Sequence, residues 1–149
     1  ILATPEALVE NKPHVSDSEL AAAYYYPQAQ IRLGQKLIGL ATSAMDISDG
    51  LLQDASHIAK ASDVCLNIIS ARIPLSESAI TLHGKKAALE FALCGGDDYQ
   101  LLFSAPQDAQ GALNALGCHC VGRVEKRSSD WVVLDGQPVK NKITGYQHF

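Results

Sequence analysis

Across Ser48-Asp49-Gly50 the chain changes from the apolar spacing of a strand to the repeat of a helix. Ser43 to Ile47 reads as a short strand. A helix follows from Asp49 to about Ser62, with Leu51, Leu52, Ala55, Ile58 and Ala59 on one face. Asp54, His57 and Lys60 are expected on the opposite, solvated face. A strand feeding straight into an amphipathic helix must bury that helix against its own sheet, which restricts the chain to folds with strands and helices interleaved.

The rest of the chain keeps to that pattern. Helices are expected over 16–26, with Ser16 or Asp17 as the cap, and over 29–41, with Ile31, Leu33, Leu37, Ile38 and Leu40 near one face. Further helices are expected over 76–83, 85–93 and 106–116, the second ending at Gly95-Gly96. Strands are expected over 64–69, 99–103 and 119–124, and a hairpin turns at Asp135-Gly136 between 131–134 and Val139. The fold class is α/β, bordering on α+β, with a mixed β-sheet covered by helices.

With 149 residues, of which 47% are hydrophobic, one core is sustainable, so residues 1–149 read as a single domain. A net charge of -4 with no Lys/Arg run argues against a nucleic-acid surface, because phosphate neutralisation needs clustered cations. No apolar run reaches the length of a membrane span and no secretory leader pattern is present, so a cytoplasmic protein is expected. Cys65, Cys94, Cys118 and Cys120 lie in apolar segments and are expected to be reduced and mostly buried. Cys118-His119-Cys120 lacks a second ligand pair, and reads as part of a strand with small core thiols rather than as a zinc site. The opening Ile1-Leu2-Ala3 reads as mid-element, as expected for a fragment of something longer.

Two acidic segments carry the chemistry. In Ala44-Met45-Asp46-Ile47-Ser48-Asp49-Gly50-Leu51, two carboxylates flank a hydroxyl beside a helix start. Magnesium favours a few carboxylate oxygens together with phosphate oxygens, and a helix N-terminus adds N–H donors for an anion. A Ser or Asp serving only as a helix cap is the competing explanation; a cap leaves Asp46 unaccounted for. In Gly95-Gly96-Asp97-Asp98-Tyr99-Gln100-Leu101, the glycines permit close approach of a ligand and the acids can accept from a cationic one. A C-capping glycine followed by a polar turn fits the same residues. Tyr99, Leu101 and Phe103 read as one core-facing strand face. The tail, Gly145-Tyr146-Gln147-His148-Phe149, offers Tyr146 either as a stacking surface for a flat ring or as a hydrophobic plug.

Taken together and in this order, Met45–Leu51, Gly95–Leu101 and Gly145–Phe149 resemble three motifs of the thiamine-monophosphate kinases, over the whole chain. The resemblance implies a C-terminal domain of the kind seen in aminoimidazole ribonucleotide synthetase. An N-terminal domain, absent from this chain, would form a homodimer and supply most of the magnesium ligands. It also implies that Asp46 and Asp49 are magnesium ligands and that Ser48 touches the ATP phosphates. Asp97 and Tyr146 are then the contacts to thiamine monophosphate, although the family usually has Glu at the position of Asp97 and often Trp at that of Tyr146. ATP and Mg2+ are thus the expected co-substrate and cofactor, thiamine diphosphate and ADP the products, and the fragment alone is expected to be inactive. Selenophosphate and aminoimidazole ribonucleotide synthetases are the alternative enzymes, and a non-catalytic binding module is the alternative of another class.

Overall fold

In a computed structural model that describes residues 15–127 and 129–139, six strands and five α-helices alternate along the chain. Helices α1 (Val15–Tyr25) and α2 (Ile31–Lys36) precede strand β1 (Ser43–Asp46). Helix α3 (Leu51–Ser62) leads through Asp63 into β2 (Val64–Ile68), and a 3₁₀ turn at Ser70–Arg72 precedes α4 (Glu77–Cys94). Then come β3 (Leu101–Ser104), α5 (Gln110–Ala115), β4 (Gly122–Lys126), β5 (Val132–Leu134) and β6 (Gln137–Pro138).

The strands form two sheets. β1 and β3 pair antiparallel, with Asp46 opposite Leu101 and Met45 opposite Leu102. The other sheet has the order β4-β2-β5-β6, in which β2 runs parallel to β5 and antiparallel to β4. The expected mixed α/β architecture is therefore present, but divided between two sheets. Helix α3 touches both of them. Leu51, Leu52, Ala55 and Ala59 from this helix join Ile47, Ile68, Leu93 and Val132 in the main core. Full burial of a side chain such as Leu52 contributes about 2 kcal/mol.

Local signals account for the boundaries. Ser76 caps α4, its Oγ accepting from the Ala79 amide at 3.3 Å. Gly84, at φ 81° and ψ 155°, bends α4 where two helices were expected. Asp135 and Gly136, at φ 51° and 75°, make the left-handed pair a tight hairpin requires.

Several expectations need correction. The helix foreseen over 29–41 contracts to α2, and Ile31 and Ile38 face outward while Leu37 is buried. Gly39, at φ 81°, takes the following turn out of helical geometry. Tyr99 has φ 56°, so β3 begins after it at Leu101, and neither Tyr99 nor the β3 side chains are fully buried. Cys118 and Cys120 precede β4 instead of lying in it. No disulfide forms, and only Cys65 of the four cysteines is fully buried.

Candidate functional site

The end of β1 and the start of α3 meet the segment that follows α4. The Asp97 amide donates to the Ser48 carbonyl at 2.9 Å, and the Tyr99 amide to the Ile47 carbonyl at 2.8 Å. In return the Ile47 amide donates to the Gln100 carbonyl at 2.8 Å. This backbone ladder extends the β1–β3 pairing past the strand ends and joins the two acidic segments, though nearly fifty residues separate them in sequence. Gly50 tightens the junction: a Cβ there would stand 3.0 Å from the carbonyl carbon and oxygen of Cys94. Its φ of 115° is likewise a conformation reserved for glycine.

Asp46 is exposed at the end of β1, whereas Ser48 and Asp49 are half-buried. Neither Ser48 nor Asp49 caps α3. Gly50 holds the N-cap position and has no side chain with which to cap. Asp54 instead reaches back to the loop before the helix, its Oδ2 accepting from the Ser48 amide at 2.9 Å and the Asp49 amide at 3.0 Å. Asp54 is only 1% exposed, so its expected place on the solvated face is wrong. The missed signal is its position: in the first turn of a helix that starts on glycine, a short acid can reach back to the preceding loop, a variation on reciprocal capping. Gln53 Nε2 donates to Asp49 Oδ2 at 3.2 Å, adding a second hold on the loop.

Donor atoms of Asp49, Asp54 and His57 lie within 4.8 Å of one another. Asp46, Asp49 and the Ser48 hydroxyl, close together in the chain, offer hard oxygens of the type that suits magnesium, while Asp54 Oδ2 is taken up by the two loop amides. His57 is expected on the solvated face of α3. It is exposed, yet it stands beside Asp49 and Asp54.

Asp97 and Tyr99 are both in the left-handed region, at φ 59° and 56°. For residues other than glycine this costs of order 1 kcal/mol each and persists where surrounding contacts enforce it. Here the backbone ladder does so, and the Tyr99 hydroxyl donates to Asp97 Oδ1 at 2.9 Å. That bond, and then the charge of Asp97, raise the Tyr99 phenol above its usual value; partial desolvation and the charge of Asp46 add to the effect. Asp46, from the first motif, thus acts electrostatically on the second. Burial pushes the carboxyl of Asp98 upward. A cavity of about 1040 Å3 reaches Gly95, Gly96, Asp97, Asp98 and Gln100, but Asp46, Ser48 and Asp49 do not line it. Tyr146 lies outside the described residues.

Known proteins resemble the chain in sequence and in fold. No family model matches the chain. The thiamine-monophosphate kinase of Escherichia coli K12 is 36% identical over 96% of this chain and 47% of its own length. That of Aquifex aeolicus is 37% identical over 97% of the chain and 46% of its length. Among solved structures, AaThiL complexed with AMPPCP and TMP superposes with a TM-score of 0.83 at 34% identity, over 97% of this chain and 45% of the other. Thiamine-monophosphate kinase from Stenotrophomonas maltophilia K279a gives 0.81 at 32% identity, over 87% and 42%. The chain spans about half the length of these relatives, and over that span it is similar to the thiamine-monophosphate kinases in both sequence and fold.

Proposed function

We propose that this chain is the C-terminal domain of a cytoplasmic, homodimeric thiamine-monophosphate kinase, with the dimer contacts made by the other half of the protein. The reaction is transfer of the ATP γ-phosphoryl to the phosphate of thiamine monophosphate. An acceptor phosphate oxygen forms the new bond to the γ-phosphorus, and the bond to the ADP oxygen breaks with its electron pair leaving on ADP. The observation that carries this reading is the joining of Ser48 to Asp97 by backbone pairing, which brings together the segment proposed to hold metal and phosphate and the segment proposed to contact the substrate. The relatives and the AMPPCP and TMP complex supply the identities of the two ligands, AMPPCP being an ATP analogue.

In this reading Asp46 and Asp49 hold magnesium, and the Ser48 hydroxyl donates to an ATP phosphate oxygen. Magnesium, when bound, neutralises charge on the phosphates and draws them together. Asp97 meets the cationic part of thiamine monophosphate, and Tyr146 packs against its ring. An acceptor phosphate is already anionic, so the residues are required for alignment and charge balance rather than proton abstraction.

Asp46 is exposed in this chain, and electrostatic stabilisation is strongest where water is excluded. The isolated chain is therefore expected to be inactive. The test is thiamine diphosphate formation from Mg-ATP and thiamine monophosphate by the full-length protein and by this chain alone. Product from the long form only is the expected result. Turnover by the fragment would overturn the division of labour, and no product from a folded, ATP-binding long form would overturn the kinase reading.

A further inference from the structure

The geometry points to Asp54 as the positioning residue for the divalent-cation ligands: it fixes the backbone of Ser48 and Asp49, and so determines where the Asp49 carboxylate and Ser48 hydroxyl stand before any ligand arrives. The inference rests on the proposed kinase reading and deepens it.

Three observations carry it. First, Asp54 Oδ2 accepts from two consecutive amides, those of Ser48 and Asp49, at 2.9 and 3.0 Å. A carboxylate bound to backbone N–H groups makes hydrogen bonds about twice as strong as neutral ones, and in a buried setting they are hard to exchange for water. Second, Asp54 is fixed as well as buried. Its own amide donates to the Gly50 carbonyl at 2.9 Å, and it lies on a helix whose neighbours Leu52 and Ala55 are in the main core. Third, the loop it holds contains Gly50 at φ 115°, a residue with unusually broad conformational freedom and no capping side chain. Without Asp54 the loop would retain Gln53 on the Asp49 side chain and the pairing of Ser48 with Asp97, but its two amides would lose the carboxylate that now holds them. The cation would then have to order the loop as it bound, and its affinity would fall by that ordering cost.

A merely structural acid would lower stability and leave cation affinity unchanged. The test uses the full-length protein with Asp54→Asn, and Ile68→Ala as a control for core destabilisation that leaves the loop's own hydrogen bonds in place, Ile68 being buried in β2. Mn2+ affinity is measured by calorimetry, and half-saturating Mg2+ by turnover, at a temperature where every variant is folded. Asp54→Asn is expected to weaken Mn2+ binding about tenfold, equivalent to about 1.4 kcal/mol, and to raise the Mg2+ requirement in parallel. The KM for thiamine monophosphate at saturating Mg2+ should stay within twofold. Ile68→Ala should lower the melting temperature without moving either cation value. Should Asp54→Asn not fold, Asp54→Glu, which keeps the charge and displaces the acceptor by one methylene, serves in the same comparison. Mn2+ affinity within twofold of wild type in the folded variant would overturn the inference. Wild-type protein that binds Mn2+ but makes no thiamine diphosphate would instead overturn the kinase reading, with the Asp54 comparison still read from Mn2+ binding.

Discussion

The Asp97 amide donates to the Ser48 carbonyl at 2.9 Å, so a residue just beyond the glycine pair and a residue at the β1–α3 turn share one hydrogen bond. Both belong to acidic segments that local sequence could explain separately as a cap and a turn. Their pairing joins two ambiguous motifs through the backbone.

Asp46 is exposed and lies at the end of its strand, so Asp46→Asn should alter folding stability by less than about 0.5 kcal/mol. In the full-length protein it should cut magnesium-dependent turnover by on the order of a hundredfold, the scale of losing one charge-stabilising group. Chemical denaturation and steady-state kinetics on the same preparation check both halves. A large stability loss with normal turnover would assign Asp46 a structural role.

Gly50→Ala introduces a Cβ 3.0 Å from the carbonyl group of Cys94 and forces alanine to φ 115°. Neither problem is relieved by rotating a side chain, because the opposing atoms are backbone. A destabilisation of about 2 kcal/mol or more is expected in urea melts. Cation affinity should weaken as well, since the same glycine ends the loop that carries Ser48 and Asp49.

Tyr99 gives a pH signature. Its neutral phenol donates to Asp97, while a phenolate would face the charges of Asp97 and Asp46, so its pKa is raised. The stabilisation is fully present below the unfolded value near 10 and is lost as pH rises through the higher folded value. Spectroscopic titration should place the Tyr99 phenol above the usual tyrosine value, and Asp97→Asn should bring it down towards that value. A Tyr99 titration unchanged by Asp97→Asn would contradict the hydrogen bond.

Gly122→Ala should damage the larger sheet rather than the site. A Cβ at Gly122 would overlap the Asn67 carbonyl oxygen, on the central strand opposite β4. Expected losses are about 2 kcal/mol or more of stability, with Mn2+ affinity of the folded fraction little changed. A comparable loss of cation affinity would show that the sheet, not only the α3 loop, controls the site.

Much of the architecture was legible because it rests on short-range rules. The apolar face of α3, the hairpin at Asp135-Gly136 and the helix start near Ser76 all depend on residues within a few positions of one another. The acidic character of the first motif was equally legible. Asp54 was misplaced because helical periodicity orients a side chain about the helix axis but does not show that a preceding loop curls over it. Tyr99 was misplaced because alternation predicts an extended strand, whereas pairing with Ile47 requires a left-handed residue at that position.

The sequence by itself determined which groups are available: two aspartates around a serine, a glycine pair followed by two more, and the strands and helices that bear them. Only the tertiary structure decided that the segments bearing them are joined. That depends on hydrogen bonds between residues nearly fifty positions apart and on a carboxylate buried at 1% exposure, both created when α3 packs across the two sheets. Local propensity carries no information about either, because the free energy that enforces them comes from burial of the shared core.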